Sequence, residues 1–162
     1  MTGGIGLTAL QKQKKIQSEL FFAEVLDRIA AGKHPRLLPR GSSMRPFIRG
    51  DKDQIVLSQL TEASYAVGRI VLVHLDRGYL IHRITRIDGP VYTLRGDGNP
   101  YQREQCTRDQ ILAEVTVVIR GKREILLGSK LWKRYERFWP ANDTLRRLFL
   151  ALYRRTLYRW GL

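Results

Sequence analysis

The sequence predicts a mostly β domain held between an N-terminal amphipathic helix and a basic, helical C-terminus. Three observations predict it. Apolar residues recur at helical spacing near the start, short β-type runs separated by turn signals fill the middle, and helical spacing with capping residues returns after Gly121. A chain of 162 residues suits one hydrophobic core with terminal additions. The expected boundaries are 1–36 for the helix, 37–121 for the β core and 122–162 for the helical extension.

Each element has its own signal. From Thr8 to Ala31, the residues Leu10, Ile16, Leu20, Phe21, Val25, Leu26 and Ile29 follow helical spacing, and Gly32 with Pro35 supplies a stop. Gly41 to Pro46 and Gly50 to Asp53 read as turns. Strands are expected at Gln54 to Leu57, Arg69 to Leu75, Tyr79 to Ile87, Val91 to Arg95 and Ile111 to Ile119. Beyond them, Leu131, Trp132, Tyr135, Phe138 and Trp139 predict a short helix ended by Pro140. Asn142 or Asp143 caps a second helix from Thr144 to Trp160.

The charge balance points to an anionic partner. With 29 Lys and Arg against 15 Asp and Glu, the formal charge is +14, which suits phospholipid or nucleic acid without choosing between them. Residues 121–162 hold 11 Lys and Arg against 3 Asp and Glu, a net of +8. There, Leu145, Leu148, Phe149, Leu152 and Trp160 share a helical face, Arg147, Arg154 and Arg155 lie largely off it, and Trp132, Trp139 and Trp160 add interface-seeking rings. This pattern fits a peripheral membrane helix. It fits equally well helices packed on the β core with a solvated arginine face.

The longest strictly apolar runs, such as Leu148 to Tyr153, are about six residues, against roughly 20 for a membrane span. The start lacks the order of a secretory signal peptide, so the expected location is cytoplasmic, with peripheral contact at the inner membrane surface. Cys106 is the only cysteine, which excludes an intramolecular disulfide and a cysteine metal cluster. No cofactor or metal is expected.

Chemistry is concentrated in three segments. A serine hydroxyl is a weak nucleophile, so a serine hydrolase holds it on a constrained turn beside a base, with backbone N–H donors facing the developing oxyanion. Gly41-Ser-Ser-Met-Arg-Pro46 has that texture around Ser43, although such a hexapeptide alone is usually turn chemistry. His82 shares strand parity with Leu80 and Ile84, as suits a base at a partly buried cleft or a core histidine bonded to backbone. Asp97 lies in Gly96-Asp-Gly-Asn99, a tight-turn pattern.

Gly41-Ser-Ser-Met-Arg-Pro46 followed by Gly50-Asp51 resembles the nucleophile segment of the signal peptidase and LexA-type repressor superfamily. Tyr79-Leu-Ile-His-Arg-Ile84 resembles the base segment of its histidine-type signal peptidases, and Leu94-Arg-Gly-Asp-Gly-Asn99 resembles their aspartate segment. The resemblance implies a coiled-strand β fold, with Ser43 as nucleophile, His82 as general base and Asp97 orienting or stabilising the imidazole. Relatives with a lysine base offer no template, because no lysine lies between Lys52 and Lys122.

Two positions depart from the resemblance. Gly41 stands where some relatives carry a hydroxyl for the oxyanion, so the hole would rely on backbone donors such as the Ser43 N–H. Arg103 stands where the histidine-type enzymes carry a second aspartate; Glu104 follows it, and the sequence leaves open whether Glu104 substitutes. Asp51 reads as a turn residue bracing the Ser43 loop. His34, His74 and Cys106 receive no catalytic role.

Signal peptidases of this class are normally anchored by a transmembrane segment, whereas an amphipathic helix leads here. The expected activity is therefore serine endopeptidase cleavage of a leader or precursor peptide rather than general secretion. A non-catalytic basic module of LexA-like fold, acting on nucleic acid or anionic membrane, is the competing reading. The charge supports it, but it leaves the serine and histidine segments unused and lacks a recognition helix, stacking motif or zinc finger.

Overall fold

The computed structural model describes residues 4–139 and 142–156. Helix α1, Gly4–Ala30, leads into an antiparallel sheet of eight strands: β1 (Arg36–Leu37), β2 (Gln54–Ser58), β3 (Ile70–Leu75), β4 (Gly78–Asp88), β5 (Val91–Arg95), β6 (Glu104–Cys106), β7 (Ile111–Arg120) and β8 (Arg123–Leu126). Helices α2 (Lys130–Phe138) and α3 (Asp143–Arg155) follow. The strand order is β1-β2-β7-β3-β4-β5-β6, with β8 paired to β7.

The pleat of the central strands sorts the core into two halves. On β3, Ile70 and Leu72 join Ile55, Leu57, Ala113 and Val115 in one cluster, which Val25 and Ile29 of α1 and Trp132 of α2 cover. Val71 and Val73 project to the other face, against Ile84, Tyr92, Leu94 and Ile111. A strand buried on both sides must be apolar at every position, which explains the unbroken Ile70-Val-Leu-Val73 run.

The sheet extends past the expected boundary at residue 121, because Gly121 turns the chain so that Arg123–Leu126 pairs back on β7. Among the described side chains of α1, Phe22, Val25, Leu26 and Ile29 pack on the core, whereas Leu10, Ile16 and Leu20 are exposed. Ser129 caps α2 and Asn142 caps α3, as their side-chain oxygens accept N–H bonds of the first helical turn. No described helix is long and apolar enough to cross a membrane.

The C-terminal helices pack on the core through Trp132 and Leu150, and they leave an apolar stripe of α3 exposed. Trp132 is fully buried in the core rather than interface-seeking, donating its indole N–H to Glu136 at 2.9 Å. On α3, Arg146 and Leu150 turn inward, while Leu145, Leu148, Phe149 and Leu152 are 49–67% exposed. Asp143 sets this rotation by accepting from Arg95 at 2.6 Å and Arg103 at 2.7 Å, which pins the first turn against β5 and its following loop. Trp160 and the expected helix stop at Pro140 lie outside the described residues.

Candidate active site

The Ser43 segment is a tight loop between β1 and β2, buried on one side through Met44, Phe47 and Ile48. Those side chains anchor it in the core, leaving Ser43 half-exposed at the rim. Asp51, in the left-handed conformation at φ 66°, accepts from the Gly41 N–H at 3.3 Å and donates its own N–H to Pro39 at 2.8 Å. Below it, the fully buried Asp53 accepts from the Arg49 backbone at 3.0 Å and from Arg120 Nη2 at 2.8 Å. Burial pushes the Asp53 carboxyl up, but bonds from Arg120 and Arg49 outweigh it and hold the group below its ordinary value.

The Gly96-Asp-Gly-Asn99 turn clamps the Ser43 loop from the other side. The Gly98 N–H donates to the Ser43 carbonyl at 2.7 Å. A methyl group on Gly96 would lie 2.4 Å from that carbonyl and 3.0 Å from His82 Nε2; one on Gly98 would lie 2.6 Å from the Ser42 carbonyl. Both glycines are therefore required by close backbone approach. His82 Nε2 and the Ser43 carbonyl thus border the same side of Gly96.

The structure reassigns the two carboxylates. His82, 5% exposed on β4, has Nδ1 at 2.7 Å from Glu104 Oε2 on β6. An ionised carboxylate oxygen accepts, so Nδ1 is the nitrogen that donates to Glu104, and in the neutral imidazole this contact selects the tautomer whose lone pair is on Nε2. Arg77 bonds the other oxygen of Glu104. Asp97 takes Arg83 Nε at 3.0 Å and Nη2 at 2.8 Å, so the expected contact with the imidazole is made by Glu104 instead. The reason is the pleat: His82 and Arg83 are successive strand residues facing opposite sides, and each carboxylate serves the side it reaches.

Ser43 and His82 line one polar cleft of about 430 Å³ with Tyr79, Leu80, Asn99 and Gln102. No hydrogen bond joins the two in this structure. Ser43 also lines a second groove of about 810 Å³, whose walls include the apolar Phe21 and Phe22 of α1, Leu38, Met44 and Ile81 together with Lys14, Arg36 and Arg40. Among the described residues, the Ser43 N–H makes no hydrogen bond, and no group of three His, Cys, Asp or Glu residues could hold a metal ion.

The remaining candidates lie elsewhere. His34 Nδ1 meets Ser58 Oγ at 3.0 Å, and His74 stacks on Tyr79 and pairs with Glu19 at 3.2 Å. Cys106 is buried on β6; burial first, then Asp109, pushes its thiol up to about 11. Comparison with protein-family models gives no match, and no curated protein matches the chain. Glu104 is the residue that sequence reasoning did not assign, and its signal was adjacency to Arg103, the position where the histidine-type enzymes that the sequence resembles carry a second aspartate.

Proposed function

We propose that the protein is a serine endopeptidase of the signal-peptidase-like type, with a LexA-like β core, that cleaves a leader or precursor peptide. One observation carries this reading: Ser43 and His82 share a cleft, Glu104 bonds the imidazole at Nδ1, and Nε2 borders Gly96 beside the Ser43 carbonyl. Nε2 takes the Ser43 hydroxyl proton as Oγ attacks the scissile carbonyl, and the Ser43 N–H donates to the resulting oxyanion. The imidazolium then protonates the leaving amine. Water, deprotonated by the same nitrogen, hydrolyses the acyl-enzyme and restores Ser43. Glu104 acts as a positioning residue throughout.

The groove that Ser43 lines with Phe21, Phe22, Leu38, Met44 and Ile81 supports a peptide substrate with apolar side chains near the scissile bond. The exposed Leu145, Leu148 and Leu152 stripe, flanked by Arg147, Arg154 and Arg155, supports work at an anionic membrane surface. The test is cleavage of a quenched-fluorescent peptide library by the full chain and by Ser43→Ala. Cleavage by the wild type that vanishes in a folded Ser43→Ala variant is expected; equal turnover by both removes Ser43 from the mechanism.

A further inference from the structure

Two walls of the 810 Å³ groove beside Ser43 carry positive charge. One is the face of α1 that presents Lys14, Ser18, Phe21 and Phe22 at helical spacing; the other runs from Arg36 on β1 through Arg40 to Ser43. Lys14, Arg36 and Arg40 are exposed, and among the described residues no Asp or Glu lines the groove. We propose that this groove selects acidic peptides, taking an apolar side chain between Phe21, Leu38 and Met44 and carboxylates of the same peptide on Lys14, Arg36 and Arg40. As a statement of substrate class, the proposal rests on the peptidase reading of Ser43.

The α1 wall is fixed to the sheet. Tyr79 on β4 donates its hydroxyl to Glu19 at 2.8 Å, the Phe22 ring stacks on Tyr79 with centroids 4.2 Å apart, and Val25 and Ile29 are buried in the core. The helix carries Lys14 about 10 Å along its axis from Phe21, the span of about three residues of extended peptide. Arg40 stands three residues before Ser43, and its neighbour Gly41 is tied to Asp51. The groove therefore offers one cation on the Ser43 loop and another on the facing helix, with an apolar site beside them.

The apolar part of the groove is deep. Met44, Ile48 and Leu72 are buried at its base, while Phe21 and Leu38, 49% and 55% exposed, stand on the two walls where an occupant would cover them. Nearby carboxylates are engaged elsewhere: Glu19 takes Tyr79 and meets His74 at 3.2 Å, and Asp51 takes the Gly41 N–H. Glu124 lies 3.8 Å from Arg36, with both side chains more than half exposed, so a peptide carboxylate can replace it. Among the described residues, no carboxylate pairs with Lys14 or Arg40. Cations without intervening carboxylates favour acidic side chains and repel basic ones, so charge here sets which peptide reaches Ser43.

The test uses the full chain and three quenched-fluorescent peptide libraries with the same randomised apolar positions, flanked by Glu, Gln or Lys. Turnover is read for wild type, Lys14→Gln, Arg40→Gln and, as a control on β8, Arg123→Gln. Binding of the same pools is read by fluorescence anisotropy with Ser43→Ala, alone and combined with Lys14→Gln or Arg40→Gln. The Glu library should be cleaved roughly tenfold faster than the Gln library, and the Lys library slowest. Lys14→Gln and Arg40→Gln should each cut the Glu-to-Gln ratio roughly two- to fivefold, as exposed ion pairs predict, and Arg123→Gln should keep it. Because the readout is a ratio within one variant, a slower rate from a disturbed Ser43 loop does not imitate the effect. Cleavage that is equal for the Glu and Gln libraries overturns the proposal and leaves the peptidase reading standing. Glu-selective binding that needs Lys14 and Arg40, with no cleavage by wild type, keeps the acidic-peptide site and removes the peptidase reading. No charge preference in cleavage or binding overturns the proposal, and Lys14-dependent binding of phosphatidylserine vesicles in that case assigns the basic wall to a membrane instead.

Discussion

His82 and Arg83 are neighbours in sequence, yet they belong to different parts of the molecule. His82 faces a cleft shared with Ser43 and leans on Glu104; Arg83 faces inward, locked to Asp97 and stacked near Phe47 and Tyr135. Burial opposes the charge of Arg83, and Asp97, acting next, outweighs it and raises the guanidinium above its ordinary value. Burial, followed by Asp97, likewise pushes the Tyr135 hydroxyl well up. One side of β4 holds an imidazole bonded to a carboxylate beside the Ser43 cleft, whereas the other holds a buried Arg83–Asp97 pair. One step of pleat separates the two.

The difference can be broken by substitution. The largest effect is expected from His82→Ala, which on this account lowers peptide turnover by roughly ten-thousand-fold while the chain still folds, since the buried Glu104 loses one donor but keeps Arg77. Steady-state cleavage with a urea melt of the same preparation checks both halves. Asp97→Ala should do the reverse: it leaves Arg83 buried without its carboxylate and should destabilise the chain by roughly 3–5 kcal/mol. Denaturant unfolding reads this directly, and a wild-type midpoint would mean that the pair is not structural.

Smaller effects sharpen the same contrast. The Asp53 carboxyl is lowered on folding, so its stabilisation is fully present above the unfolded value near 3.9 and is lost as pH falls through the folded value. Asp53→Asn should therefore flatten the acid limb of stability below about pH 4 relative to wild type, measured as melting temperature against pH. Smallest of all, Cys106, with its thiol at about 11, should resist iodoacetamide in the native protein at pH 8 and react only on unfolding.

Much of this architecture was legible because it rests on local patterns. The long strands β3, β4, β5 and β7 carry β-branched runs bounded by turn residues, and the α2 and α3 caps are the usual hydroxyl and amide residues. The short strands β1, β6 and β8 carry no such run; their pairing comes from neighbours already in place. The site divided in the same way. The turn reading of Gly96-Asp-Gly-Asn99 follows from its glycines, whose close approach to the Ser43 loop explains them. Which carboxylate meets His82 depends on where β6 lies beside β5, a long-range fact that no spacing encodes. The orientation of α3 was hidden for the same reason, since Arg95 and Arg103 select it through Asp143.

The central claim is that Glu104, not Asp97, holds the base that activates Ser43. It is tested most directly by the rate at which a fluorophosphonate acylates Ser43, followed by mass spectrometry and divided by the folded fraction. Wild type, Glu104→Gln and Asp97→Asn are compared. The account predicts labelling at Ser43 that slows roughly a hundredfold or more in Glu104→Gln, because the imidazole loses its orienting charge. It predicts a near wild-type rate per folded molecule in Asp97→Asn. Wild-type labelling in Glu104→Gln together with loss of labelling in folded Asp97→Asn would contradict it.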